Sequence, residues 1–266
     1  MATAAIHEPP ARILPPSENR FFARLAIAMA IVVIAGFSFQ LAMGRSTFAS
    51  PLRVHVHAVA FMGWIALFVA QSNFASRGSM DLHRKLGWFS IAWIALMLVA
   101  AIWVIVMMVR NATVPFFFPP QVFLINDPMV LVVFAGLTGW AIAKRRQTEW
   151  HARLHVCAMA VLIAPAFGRL LPLPLLVPYA FEAAALPGLA FPIIGMVHDK
   201  RRRNRIHPAW LWGTAVLLAN IAVSHAIAYS AVGAAIYQAV TDGSPGAAVD
   251  PLGYPPPPQG PLMTGR

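Results

Sequence analysis

Charge is scarce in this 266-residue chain: Asp, Glu, Lys and Arg make up 11% of it, against 59% hydrophobic residues. Soluble domains carry about 25% charged residues, so a deficit on this scale excludes an ordinary water-soluble fold and points to lipid. Cysteine is almost missing. The single Cys157 excludes an internal disulfide, and the lack of a C-x-x-C-H run excludes covalently attached c-type haem. Regular polar–apolar alternation is absent too, which argues against a membrane β-barrel. No stretch is diagnostic of a reaction.

What the chain has instead is long apolar runs. A transmembrane helix needs about 20 apolar residues, and the runs 21–43, 55–75, 87–109, 121–143, 155–172, 176–197 and 208–236 fit. Pro172 and Pro174 divide the fifth from the sixth as a tight hairpin. Arg20 and Arg24 precede the first, which reads as an uncleaved signal anchor. The expectation is an all-α, polytopic transmembrane bundle of seven spans over residues 21–240. Residues 1–20 read as a flexible cytoplasmic tail and the Pro/Gly-rich residues 241–266 as an extended external one.

The net charge of +11 invites a nucleic-acid partner, and its distribution rejects one. Of the 20 Lys and Arg, 15 fall before the first span or in the loops after spans two, four and six, Arg12 among them. The other face has Arg45, Arg53, Arg110, Arg169 and Arg266. This is the positive-inside bias, and it predicts a cytoplasmic N-terminus and an external C-terminus in a bacterial inner membrane. The basic run from Lys200 to Arg205 suits anionic headgroups. The lipid bilayer is the expected partner, and a further membrane-protein partner is compatible with everything in the chain.

A short internal repeat is visible. Asp81-Leu82-His83-Arg84-Lys85-Leu86 opens span three, and Glu149-Trp150-His151-Ala152-Arg153-Leu154 opens span five. Gly63-Trp64 and Gly139-Trp140 stand in the spans before them. Spans two–three and four–five then read as duplicated hairpins in a parallel repeat, with His83 superposing on His151. His55-Val-His57-Ala, Trp64, Gln71 and Leu82-His83-Arg84-Lys85-Leu86-Gly87 together resemble an uncharacterised family of bacterial multi-pass inner-membrane proteins. Histidines at the ends of paired helices are also distantly similar to cytochrome b561-type proteins. That second resemblance implies a b-type haem, although His pairs deep within successive spans are lacking here.

Ionisable residues in the spans fall into two layers. At 1.5 Å per residue, His57 lies about 3 Å inside the external edge, Asp127 and Glu182 about 9 Å, and Arg169 within about 5 Å. His225 joins them in the outer half of span seven, on a helix that also carries Asn220, Ser224 and Tyr229. Charge in hydrocarbon is costly, so this outer set is a candidate site with Arg169 expected to pair with a carboxylate. The inner layer holds His83, His151, His155, His198 and His207 with Asp81, Glu149 and Asp199. His151 and His155 are spaced i,i+4 and project from one helical face, a usable pair for a metal or haem. Such residues are also ordinary at helix N-termini facing headgroups, and the sequence puts more weight on the outer set. Trp88, Trp150, Trp210 and Trp212 read as an interfacial belt, and Ala28, Ala35 and Gly36 as a close-packing surface.

Three function classes remain. A b-type haem or other membrane redox protein leads, on the strength of the histidines. A transporter for a small polar solute or ion draws on the outer charges, and an assembly partner of a larger membrane complex is the third.

Overall fold

The computed structural model describes residues 14–260, so Arg12, Arg266 and the ends of both expected tails lie outside the described residues. Ten α-helices follow in order: α1 (Pro16–Ala42), α2 (Leu52–Ser76), α3 (Met80–Arg110), α4 (Pro120–Ala143), α5 (Thr148–Leu162), α6 (Ala164–Leu170), α7 (Ala180–Ala185), α8 (Ala190–Arg203), α9 (Pro208–Ala228) and α10 (Ala231–Thr241). Proline opens α1, α4 and α9, where its fixed φ is favourable and no N–H is needed.

The all-helical bundle is as expected. Six segments are long and apolar enough to cross a membrane: α1, α2, α3, α4, the run Ala180–Arg203 that joins α7 to α8, and α9. The pair α5 and α6, bent by 44°, counts as a seventh where the bent pair is taken as one span. Pro165 begins α6 and cannot donate back into α5, so the bend falls where a backbone bond is missing.

Hydrogen bonds and ring contacts show that the helix ends alternate between two faces. At the N-terminal face, side chains from the start of α1, the start of α5, the end of α8 and the start of α9 meet in one ionic network. The α2–α3 and α4–α5 turns come together there through His83 and His151. At the opposite face, Arg110 of α3 donates to the Val240 carbonyl of α10, and Gln121 of α4 donates to the Ala228 carbonyl that ends α9.

Three expectations need correction. The seventh span ends at Ala228, not 236: the chain breaks at Ser230, whose hydroxyl caps α10 by accepting from Val232 and Gly233. The residues after 241 are not a free tail as far as they are described. Tyr237 donates to the Gly246 carbonyl, and the Pro251 carbonyl accepts from the Gln121 backbone at the head of α4. At the other end, the residues expected as a tail up to 20 are helical from Pro16, where α1 starts, and Glu18 is buried.

The core is closely packed where small residues allow it. A side-chain carbon on Gly36 would stand 2.5 Å from the Ala166 carbonyl oxygen, so α1 and α6 touch backbone to backbone. One on Gly195 would stand 2.1 Å from the Trp210 ring. Trp210 is fully buried and is no belt residue, whereas Trp88 and Trp212 are exposed as a belt requires.

Candidate functional site

Helix α5 separates two polar regions at the N-terminal face. Its sequence carries two i,i+4 pairs, Glu149/Arg153 and His151/His155. Two residues along a helix is about 200° of turn, so the pairs face opposite ways.

The Glu149/Arg153 side is a closed ionic knot. Arg153, 1% exposed, donates from Nε to Asp199 Oδ2 at 2.9 Å, from one terminal nitrogen to Asp199 Oδ1 at 2.6 Å and from the other to the Glu149 carbonyl at 3.0 Å. It also reaches Glu18 at 3.5 Å. Arg203 joins Glu18 to Glu149 by short ion-paired bonds. Asp199 accepts as well from the Trp210 indole at 3.0 Å and the His207 backbone at 3.2 Å. Nearby His207 accepts from the Ala209 backbone through Nδ1, capping α9. Burial, with Arg153 adding to it, lowers the His207 pKa to about 4 and keeps that nitrogen free to accept. His198 stacks on Phe21 with ring centres 3.8 Å apart. Asp81 pairs only with Arg84, at the exposed surface.

The other side of α5 faces a cavity of about 150 Å³ enclosed by α1 to α5. His83, His151 and His155 all line it, together with Trp64, Gln71 and Thr138. His83 Nδ1 lies 3.2 Å from the Gln71 carbonyl and His151 Nδ1 lies 2.8 Å from the Ala141 carbonyl. A carbonyl only accepts, so both Nδ1 atoms carry the proton and both Nε2 atoms are left as acceptors. The rings of His83 and His151 are 6.1 Å apart, and those of His151 and His155 are 4.5 Å apart. Three buried atoms of these lining residues have no hydrogen-bond partner among the described residues: Trp64 Nε1, Gln71 Oε1 and Thr138 Oγ1. Their residues are a donor, an acceptor and a hydroxyl, and buried polar groups are rarely left so. Among the described residues, no Asp, Glu, Lys or Arg lines the space.

The two hairpins therefore place His83 and His151 alike, each tied to a carbonyl of the preceding helix. The Gly-Trp pairs do not correspond. Gln71 lies seven residues after Trp64, while Ala141 directly follows Trp140, so Trp64 enters the core and Trp140 stays near the rim.

Neither a metal nor a haem fits what is present. Among the described residues, no group of three His, Cys, Asp or Glu is placed to hold an ion. The imidazoles are prepared as metal ligands often are, with Nδ1 anchored. The space is the limit: about 150 Å³ accommodates a single benzene-sized ring, well below the roughly 300–1,000 Å³ of sites for larger ligands.

The outer residues divide into two groups. His225 donates from Nδ1 to the Ile221 carbonyl at 2.9 Å and meets Glu182 through Nε2 at 3.2 Å. Arg169 lies near enough to His57 and Asp127 to act on both electrostatically. The expected Arg169–carboxylate ion pair is not formed. Its guanidinium donates to the Pro165 carbonyl at 2.8 Å and covers the Phe37 ring at 4.1 Å. That carbonyl, one turn back on α6, offers a closer partner than either acid, and no ion pair links the two groups among the described residues. Asn220 and Ser224 are buried on α9 beside His225, and Ser224 bonds back to the Asn220 carbonyl, a local helix contact.

Sequence reasoning missed Thr138 and Glu18. Thr138 is an unremarkable threonine in an apolar run, and Glu18 is one acid in a proline-rich leader. Comparison with known proteins adds no name to this geometry: no protein-family model, no curated protein and no solved structure matches the chain.

Proposed function

We propose that this is a multi-pass protein of a bacterial inner membrane that binds one small, neutral, hydrogen-bonding molecule in the cavity between α1 and α5. The observation carrying this is the set of buried atoms without partners on one uncharged lining: Trp64 Nε1, Gln71 Oε1 and Thr138 Oγ1. Each unmatched buried group costs about 1–3 kcal/mol, a cost that a guest with complementary groups removes. His83 and His151 serve as acceptors through Nε2, held in place by the carbonyls behind them. The basic N-terminal face is cytoplasmic in this reading, so the cavity lies in the inner half of the bilayer.

In Leu82-His83-Arg84-Lys85-Leu86-Gly87, His83 faces the guest and Gly87, one turn on, lines the same space. The redox class remains the leading one, through a diffusible ring-sized carrier in place of a resident haem. Native mass spectrometry of protein extracted directly from membranes tests this reading. A neutral adduct on the wild type that is missing from Gly87→Leu supports it. A Soret band on the pure protein replaces it with the haem reading.

A transporter of small polar solutes is the second reading, favoured by the unpaired Arg169 and Asp127 and by the buried, unpartnered His57 Nδ1. Solute uptake into vesicles that Asp127→Asn abolishes would move the site to the outer half.

A further inference from the structure

We infer that the cavity receives the ring of a lipid-soluble quinone, oxidised or reduced; this deepens the small-ligand reading above and rests on it. Size comes first, because about 150 Å³ is the room of one six-membered ring. Charge comes second. Among the described residues nothing ionisable except imidazole lines the space, so an ammonium, carboxylate or phosphate would find no counter-ion in them.

The polar atoms occur in both senses. The Trp64 indole only donates, Gln71 Oε1 only accepts, Nε2 of His83 and of His151 accepts, and the Thr138 hydroxyl does either. Ring carbonyls of the oxidised form call for donors, and ring hydroxyls of the reduced form call for acceptors. A lining with both accommodates the two forms without rebuilding. A sugar would bring many more hydroxyls than these few atoms can match.

The route to the cavity favours a lipid source over a water-borne one. Ile91 belongs to the lining and is 40% exposed. It stands about 16 Å along α3 from Met80, inside the apolar thickness. Its neighbours Trp88 and Phe89 are exposed on the same helix. The cavity thus meets the lipid-facing flank of α3, where an isoprenoid or alkyl tail can remain in the bilayer while the ring enters. The assignment is of binding alone.

The test uses the full chain in phosphatidylethanolamine–phosphatidylglycerol nanodiscs, titrated with a decyl-substituted benzoquinone and, separately, with phenol as a tail-less ring. Tryptophan quenching and the thermal midpoint are read together. Saturable quinone binding is expected, weakened about tenfold by Thr138→Val and by Trp64→Phe, as the loss of one hydrogen bond implies. Gly87→Leu should abolish it, and Trp212→Phe, at an exposed position on α9, should leave it unchanged. Gly87→Ala guards against a folding defect, because a Cβ there stands an ordinary 3.5 Å from Gln71 Nε2. Equal quinone affinity in the wild type and Thr138→Val would mean partition into lipid and would overturn the assignment. Phenol binding that is sensitive to Gly87→Leu, with no quinone binding, would overturn the quinone while leaving the small-ligand reading standing. Binding of neither probe would overturn both.

Discussion

Two polar regions lie back to back across α5, and they differ in saturation. On the Arg153 side, Asp199 accepts four hydrogen bonds, and each acid of the knot has an arginine. On the His151 side, three buried polar atoms of residues lining the cavity have no partner among the described residues. Both regions are buried, both are built from paired helix ends, and they share one helix. A saturated network holds helices α1, α5, α8 and α9 in register, and adding a ligand to it would break bonds. An unsaturated lining stabilises nothing by itself and is complete only with a guest. Burial and histidine content cannot tell the two regions apart; the count of unmet donors and acceptors does.

The largest effect should come from the saturated side. Arg153→Leu leaves Asp199 buried without its arginine and Glu18 with Arg203 alone, and we expect a loss of about 3–5 kcal/mol, enough to prevent accumulation of folded protein. Detergent-solubilised yield and thermal midpoint check this. A variant as stable as the wild type would show that the knot is not what joins these helices.

Acid should loosen the same region. The His207 pKa of the folded chain is lowered to about 4 from an unfolded value of 6.5, so unfolding takes up a proton between those values. Its contribution is complete above pH 6.5 and is lost as pH falls towards 4, when protonated Nδ1 can no longer accept from Ala209. Unfolding midpoints from pH 7 to pH 4 should decline, and less steeply in His207→Gln. Equal slopes would remove His207 from the account.

Smaller still is Tyr237→Phe, which deletes one bond to the Gly246 carbonyl and should cost about 1 kcal/mol. Faster proteolysis after Thr241 is the readout, and an unchanged rate would mean the C-terminal segment is held by other contacts. The smallest effect should fall in the cavity. Thr138→Val removes an unmet hydroxyl at nearly constant volume, so ligand-free stability should hold or rise by up to about 1 kcal/mol. A loss as large as that of a knot residue would mean that Thr138 has a protein partner and that the two regions are alike.

Much of the fold was legible in the chain because hydropathy is additive along the sequence. Five of the seven expected runs coincide with helices to within a few residues at most of their ends, and Pro172 and Pro174 mark a real interruption, whereas the bend at Pro165 falls inside a run read as unbroken. The end of α9 was not legible, since 229–236 is as apolar as what precedes it and only the Ser230 cap stops the helix. His83, His151 and His155 could be found from their i,i+4 spacing and from the repeat. Their weight against the outer layer could not, because depth says nothing of partners. Depth alone put Arg169 beside an acid, yet the Pro165 carbonyl one turn back on α6 is its hydrogen-bond partner. Glu18 and Arg203 are 185 residues apart, and no local pattern pairs them. Trp210 is indistinguishable from an interfacial tryptophan until Asp199 is seen to accept from it.

The central claim is that the lining of the His83–His151 cavity is completed by a non-protein molecule. A density map of the wild type in native lipid, at a resolution that shows ordered small molecules, tests it most directly. The account predicts a flat, ring-sized feature within hydrogen-bonding distance of Trp64 Nε1 and Thr138 Oγ1, extending past Ile91 towards lipid. A cavity closed by its own side chains, with those two atoms bonded to protein, would contradict it.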